Sequence, residues 1–431
     1  SIEFISAEPS SIVLKGTGGV NKQENSTLTF KVKSELGNLL PQQEVSFALD
    51  TTAGGITLSR ASGFTNSQGL VTTQVQAGTV PTSVRVTAKA IMNVSGTDIT
   101  VQSQSDLLSV NTGLPEQRSF TISPTTLNPE ADSINGATVD VTAWLADNFN
   151  NPVPDGTTVN FTTEGGVIQP SCTTLNGSCT VTWTSADPRV DDHRITILAT
   201  ALGHESFFDS NGNNTYDDED GSAIVNQGVS SGFASLNASS GFIDMSEAWR
   251  DDNENTLKDT GEPFIDLDGD ESFDNEDGLF NGPQCEGSLC APENIQKTHV
   301  RKAAVIVMAG SSALFELRNS DGSVIYEDNS GSVNTIPDIT DGSSQNFSFS
   351  FTDSAVQTLP EGTTVTVESN AGTIEGTTSF DVPNNASRGG QSIGFFIINE
   401  LGGDPETAIL TINITTPAGH LTSMQAVIEL L

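Results

Sequence analysis

The sequence predicts an all-β chain of three tandem antiparallel β-sandwiches, the second carrying a loop-rich insertion. Three observations predict it. A frame of strand, proline turn, strand and glycine turn recurs three times, the composition favours strands and turns, and one acidic stretch breaks the spacing of the repeats.

Residues 28–58 read LTFKVKSELGNLLPQQEVSFALDTTAGGITL, residues 139–168 read VDVTAWLADNFNNPVPDGTTVNFTTEGGVI, and residues 347–374 read FSFSFTDSAVQTLPEGTTVTVESNAGTI. The turns carry Pro41, Pro154 and Pro360. Alternating apolar residues bury one face of each strand, as Val45, Phe47 and Leu49 would do. The first copy adds a strand near Ile2 to Ser6, a hairpin at Thr65-Asn66-Ser67-Gln68-Gly69, and closing strands at Ser83 to Ala90 and Ile99 to Val110. About seven short strands in roughly 110 residues indicate a sandwich of immunoglobulin type. The expected domains are residues 1–112, 113–310 and 311–431.

Lys and Arg total 17 against 55 Asp and Glu, a net charge of −38. Nucleic acid and anionic membranes would repel such a chain, so neither is an expected partner. No run of eighteen apolar residues predicts a membrane span. The four cysteines form two close pairs without zinc-ligand spacing, so Cys172–Cys179 and Cys285–Cys290 are read as disulfides of an oxidising compartment. A four-residue loop, Thr174 to Gly177, would set Cys172 and Cys179 opposite each other across a hairpin.

Pro41 and Pro154 stand 113 residues apart, Pro154 and Pro360 stand 206 apart. The excess is an insertion, residues 205–298, between an expected strand at Arg194 to Ala201 and one resuming at His299 to Ala309. Within it one spacing occurs three times: Asp209, Asn211, Asn213, Thr215, Asp217 and Asp220; Asp251, Asn253, Asn255, Leu257, Asp259 and Glu262; Asp266, Asp268, Asp270, Ser272, Asp274 and Asp277. These are positions 1, 3, 5, 7, 9 and 12 of a twelve-residue loop. Alternate oxygens of a curled loop converge on one point, position 7 offers its carbonyl, and the last carboxylate can bind bidentately, a donor set that suits Ca²⁺. About three calcium ions are expected, and the insertion is expected to have little core and to need them to fold. Tyr216, Phe273, Phe208 and Ile265 are read as one small core between loops.

The spacing resembles the calcium loops of EF-hands and dockerins. Where an EF-hand has glycine at position 6 the chain has Asn214, Thr256 and Glu271, with Gly212 and Gly269 at position 4. Thr and Glu resist a left-handed backbone, so the middle and last loops are expected to curl differently from the first. Long flanking helices are missing, so no calcium-triggered opening is expected.

The repeats GNLLPQQEVSF, AGGITL, TNSQGL and VRVTAKA, with FNNPVPDGTTVNF, EGGVI, TLNGSC and RITILATA in the second copy, resemble the bacterial Ig-like repeats of invasin and intimin-type surface adhesins. The third copy keeps only LPEGTTVTV and AGTI. The resemblance implies an Ig-like fold and a location outside a bacterial cell, secreted or at its surface, and carries over no catalytic residue.

No enzyme motif stands out. His193, His204, His299 and His420 lack metal or triad spacing and are read as ordinary surface or strand residues. Gly16-Thr17-Gly18-Gly19 opens no helix, so a phosphate cradle is not expected. Trp144 and Trp183 sit in strand patterns and are read as core, leaving Trp249 as the tryptophan to test for binding. The expected function is a non-enzymatic, calcium-stiffened rod that binds a host or cell-surface ligand. One alternative is a subunit that pairs with other copies of itself in a filament, exchanging Ser1 to Ser6 or Met424 to Leu431. Another is the accessory region of a secreted carbohydrate-active enzyme.

Overall fold

Alternation in the sequence becomes burial on one face of each strand. Along Asn25–Val32, Ser26, Leu28, Phe30 and Val32 point inward, and along Thr138–Leu145, Val139, Val141, Ala143 and Leu145 do. The computed structural model describes residues 1–431 except 16–21, 95, 293–294, 329–330, 333–334, 401 and 403. The stretch Gly16-Thr17-Gly18-Gly19 therefore lies outside the described residues.

The chain is nearly all β and folds as three tandem Ig-like sandwiches. In the first, Ile2–Glu8, Asn25–Val32, Leu70–Gln76 and Thr57–Leu58 form one sheet in that order. Thr97–Gln104, Val86–Val94, Glu44–Leu49 and Ser62–Phe64 form the other. The second repeats the order, with Phe120–Pro124, Thr138–Leu145, Ser178–Thr184 and Val167–Ile168 facing Ser171–Thr173, Thr158–Thr163, Arg194–Gly203 and Thr298–Val307. The third does so again and widens one sheet with the short strands Val324–Glu327 and Gly331–Ser332. Each has its own apolar core, centred on Phe30 and Phe47, on Phe161 and Trp183, and on Phe349 and Phe351.

The insertion leaves from the end of one strand and returns at the start of its neighbour. Arg194–Gly203 and Thr298–Val307 pair antiparallel over their whole length, from Arg194↔Val307 to Gly203↔Thr298. The segments considered for exchange between copies are paired at home: Ile2–Glu8 with Asn25–Val32, and Leu421–Leu430 with Glu406–Thr415, each at a sheet edge.

Both disulfides are present, but Cys172–Cys179 is placed differently from the expectation. Cys172 pairs with Val159 in one sheet and Cys179 with Ala143 in the other, so the bond joins the two sheets. The chain changes sheet through a tight turn closed at Leu175↔Ser178, not a four-residue loop. Asn176 and Gly177 occupy it with φ of 53° and 76°, the left-handed pair that a two-residue turn requires.

The second and third sandwiches are bonded across their junction. The buried Asn128 donates to the carbonyls of Leu359 and Pro383, and Leu127 N donates to Asn384 Oδ1. His193, far from being a surface residue, is buried here, its Nδ1 2.7 Å from Asp353 Oδ2 and its Nε2 3.5 Å from Asp132 Oδ1. Asp353 is fully buried and also accepts the amides of Gly310, Ala355 and Gln357. The hydrogen bond to Asp353 holds the His193 imidazolium above the usual histidine range, against the opposing pull of burial. Stability from a raised histidine is complete below its unfolded value, ~6.5, and is lost as pH climbs through the folded one. Thermal melts across pH 6 to 9 should therefore show a loss on the alkaline side that His193→Gln flattens. An unchanged pH profile in the variant would contradict this.

Candidate metal centre

A carboxylate flanked by free amides organises the backbone around itself, and each acidic loop begins with one. Asp209 accepts from the amides of Gly212, Asn213 and Asn214; Asp251 from Asn255 and Thr256; Asp266 from Gly269 and Glu271. Position 3 accepts from the amide of position 5, as in Asn211 to Asn213, Asn253 to Asn255 and Asp268 to Asp270. Position 5 accepts from position 7, from Thr215, Leu257 and Ser272.

The three loops curl alike, contrary to the expectation from Thr256 and Glu271. Position 6 is left-handed in each, with φ of 63° at Asn214, 67° at Thr256 and 67° at Glu271. A left-handed backbone costs roughly 1–2 kcal/mol for such residues. It is over-determined here, since the position-6 amide is already held by the position-1 carboxylate.

The closing carboxylate is where sequence and structure part. In the first loop Asp220 takes the amides of Ser210 and Asp217, positions 2 and 9. In the second, Glu262 takes those of Asp252 and Asp259. In the third the same two bonds, from Leu267 and Asp274, go to Glu247, which precedes the second loop. Asp277 instead accepts from Leu279 N. Carboxylate oxygens of Glu247, Asp266 and Asp268 lie within 4.8 Å of one another, as do those of Asp268, Asp270 and Asp274.

A short ribbon explains the substitution. Ala248–Trp249 pairs antiparallel with Phe264–Ile265, as Ala248↔Ile265 and Trp249↔Phe264, extended by Arg250 N to Pro263 O. One end of the ribbon brings Asp251 to Glu262, the other brings Glu247 to Asp266. Each site thus takes residues from both strands. Glu247 stands four residues before Asp251, as Glu262 stands four before Asp266, and that spacing was the available sequence signal.

Charge is unevenly spread among the loops. Asn211 and Asn213 donate to Asp217, and Asn253 and Asn255 to Asp259, which holds both carboxyls below the usual range. The third loop has Asp268 and Asp270 at those positions, and there desolvation and then Asp270, Asp268 and Asp266 push Asp274 up. Its donors are nearly all anionic, which is the chemistry that suits a hard cation.

The insertion has more core than expected, in separate clusters. Phe207, Tyr216, Phe242 and Phe280 form one, against the Cys285–Cys290 loop, while Phe208, Val229, Ile243 and Met245 form a second. Phe273 joins neither; it packs edge-on against Trp249 and Phe264, and Ile265 is half-buried in the ribbon. The insertion is fixed to the second sandwich by the fully buried Arg301, whose Nη2 donates to Ser246 O and whose guanidinium lies 5.8 Å from the Trp249 ring. Burial pulls Arg301 down to about 9. Nearby, Glu205 is fully buried, accepts from Met245 N and Asn281 N, and is raised well above the carboxylate range by desolvation.

Trp183 is core as expected, but Trp144 and Trp249 are exchanged relative to the expectation. Trp249 is 1% exposed and Trp183 fully buried, whereas Trp144 is 44% exposed. Trp144 falls on the outward phase of Thr138–Leu145. His204 is also buried, its Nδ1 2.7 Å from Glu205 O.

No family model matches the chain, and no curated protein does. Among solved structures it is similar to the D0-D1 domain of intimin, 22% identical, covering 46% of this chain and 89% of that one, with a TM-score of 0.23. It is also similar to invasin, described as a bacterial integrin-binding protein, 13% identical over the whole of this chain and 60% of that one, with a TM-score of 0.26. A Ca²⁺-stabilized adhesin of an Antarctic bacterium, described as helping it reach out and bind ice, is 12% identical over 99% of this chain and 72% of that one, with a TM-score of 0.20. Among the described residues no helix is long and apolar enough to cross a membrane.

Asp244 supplies a test of the insertion's electrostatics. It is buried, its Oδ2 accepts from Gly278 N, its Oδ1 has no hydrogen-bond partner, and burial, reinforced by Asp277 and Glu276, pushes it up to about 6. The folded state holds this proton longer than the unfolded one, so stability falls as pH rises from ~4 to about 6 and stays reduced above. In chelator, Asp244→Asn should raise the melting temperature at pH 8 and leave it unaltered at pH 4; no gain at pH 8 would refute the assignment.

Proposed function

We propose that the chain is a segment of a bacterial surface adhesin, a non-enzymatic rod of three sandwiches at residues 1–112, 113–310 and 311–431, stiffened by calcium bound in the insertion. The observation that carries this reading is the shared frame of the three loops, with the same carboxylate-to-amide bonds and the same left-handed position 6. A frame held in common by loops of different sequence supports a common ligand geometry. Its oxygen donors and anionic charge select calcium over softer metals.

In this reading the ligands are Asp209, Asn211, Asn213, Asp217 and Asp220 with the carbonyl of Thr215, then Asp251, Asn253, Asn255, Asp259 and Glu262 with the carbonyl of Leu257. The third set is Asp266, Asp268, Asp270 and Asp274 with the carbonyl of Ser272, closed by Glu247. Binding neutralises carboxylates that otherwise repel one another and so stabilises the folded insertion by mass action. The rod presents its outer surfaces to a ligand on a host or another cell, outside the bacterium. The two disulfides and the acidic surface support that location.

Calorimetric titration with calcium should count about three ions, and chelator should lower the melting temperature. Absence of binding would overturn the proposal. The third site separates the two carboxylates at issue: Glu247→Gln should lose one ion of the three, whereas Asp277→Asn should keep all three. The opposite result would return the closing role to Asp277.

A further inference from the structure

We infer that the second loop is also the clasp of the junction between the second and third sandwiches, so that the ion it takes orders that junction. The inference rests on the reading of the loops as calcium sites. It starts at position 4. The first and third loops have Gly212 and Gly269 there, with φ of 76° and 83°, a left-handed backbone that suits glycine. The second loop has Glu254, at φ 59°. A glutamate is a poor choice for that backbone, and its side chain shows what it does there.

Glu254 Oε1 lies 2.6 Å from Arg194 Nε and Oε2 lies 2.9 Å from Arg194 Nη2, a two-pronged pair. The Arg194 side chain is 5% exposed and that of Glu254 15%, so water screens the pair little. Arg194 belongs to the second sandwich, but its Nη1 donates to Ala386 O in the third at 2.8 Å. Arg388, also in the third, reaches Glu254 Oε2 at 3.2 Å. One carboxylate on the loop therefore gathers a cation from each sandwich.

Glu254 lies between Asn253 and Asn255, at ligand positions 3 and 5, so its backbone goes where the ligands go. The loop is also fixed to the second sandwich, since Thr196 Oγ1 donates to Asp251 O at position 1. When the ligands converge on an ion, Glu254 is held in the left-handed conformation that meets both arginines. When they relax, the carboxylate is free to leave.

Hydrogen exchange on the whole chain, with calcium and with chelator, tests this. In the parent, calcium should slow exchange of the amides of Asn255 to Leu257, and about fivefold that of Asn385 to Arg388 in the third sandwich. Glu254→Gly installs the residue of the sister loops and removes the clasp, and Arg388→Ala weakens it from the far side without touching the loop. Both variants should keep the calcium effect at 255–257 and lose it at 385–388. The inference is overturned if the variants keep the remote effect, or if the parent shows the local effect alone. If the parent shows neither, the calcium reading has failed and the clasp with it.

Discussion

The pairing of Arg194–Gly203 with Thr298–Val307 is the constraint on which the middle of the molecule depends. Without Thr298–Val307 the sheet of the second sandwich lacks its edge strand, and Val300 and Ile306 leave its core. The intervening residues must therefore begin and end side by side, whatever they do between. That requirement holds the insertion against the sheet, where Arg301 and Thr196 bond it in place.

A segment so placed and so acidic must offset its own repulsion with more than its small apolar clusters. It turns carboxylates into backbone organisers. Every bond from a loop amide to an aspartate or glutamate satisfies a donor that a strand or helix would otherwise have to satisfy. At the third loop these bonds leave carboxylate oxygens of Asp268, Asp270 and Asp274 within 4.8 Å of one another. Burial then divides the acids: Asp217 and Asp259, bonded by asparagine amides, sit low, while Glu205, Asp244 and Asp274 sit high.

Much of this was legible in the sequence because it depends on local periods. Strand alternation located the frame in all three copies, and the two-residue spacing of Asp and Asn located the loops. What was not legible depends on partners distant in the chain. Glu247 acquires its bonds from Leu267 N and Asp274 N through the register of a two-residue ribbon, and His193 its burial from a sandwich that begins more than a hundred residues later. Trp144 differs: Val139, Val141, Ala143 and Leu145 fix its phase as outward, so its exposure could have been read from alternation, and its size was misleading. Asn176-Gly177 was likewise an ordinary tight turn, obscured by the assumption that both cysteines belong to one sheet.

The place of the insertion also bears on how the proposed rod would carry load. Tension applied along the chain enters the second sandwich at its start and leaves through Thr298–Val307. It passes to the rest of the domain through the ladder with Arg194–Gly203 and through the bonds of Gln117 to Arg301 and of Leu127 to Val307, and these paths do not run through the chain of residues 204–297. The first and third loops hang outside the line of force while the ladder holds, and the second meets it only where Glu254 pairs with Arg194 and Arg388. Should ladder and loops both give way, the freed segment would lengthen the molecule by roughly 300 Å at ~3.3 Å per residue, lowering the tension on the sandwiches in series with it. A hairpin closed over a folded loop is in this sense stored length, released by force.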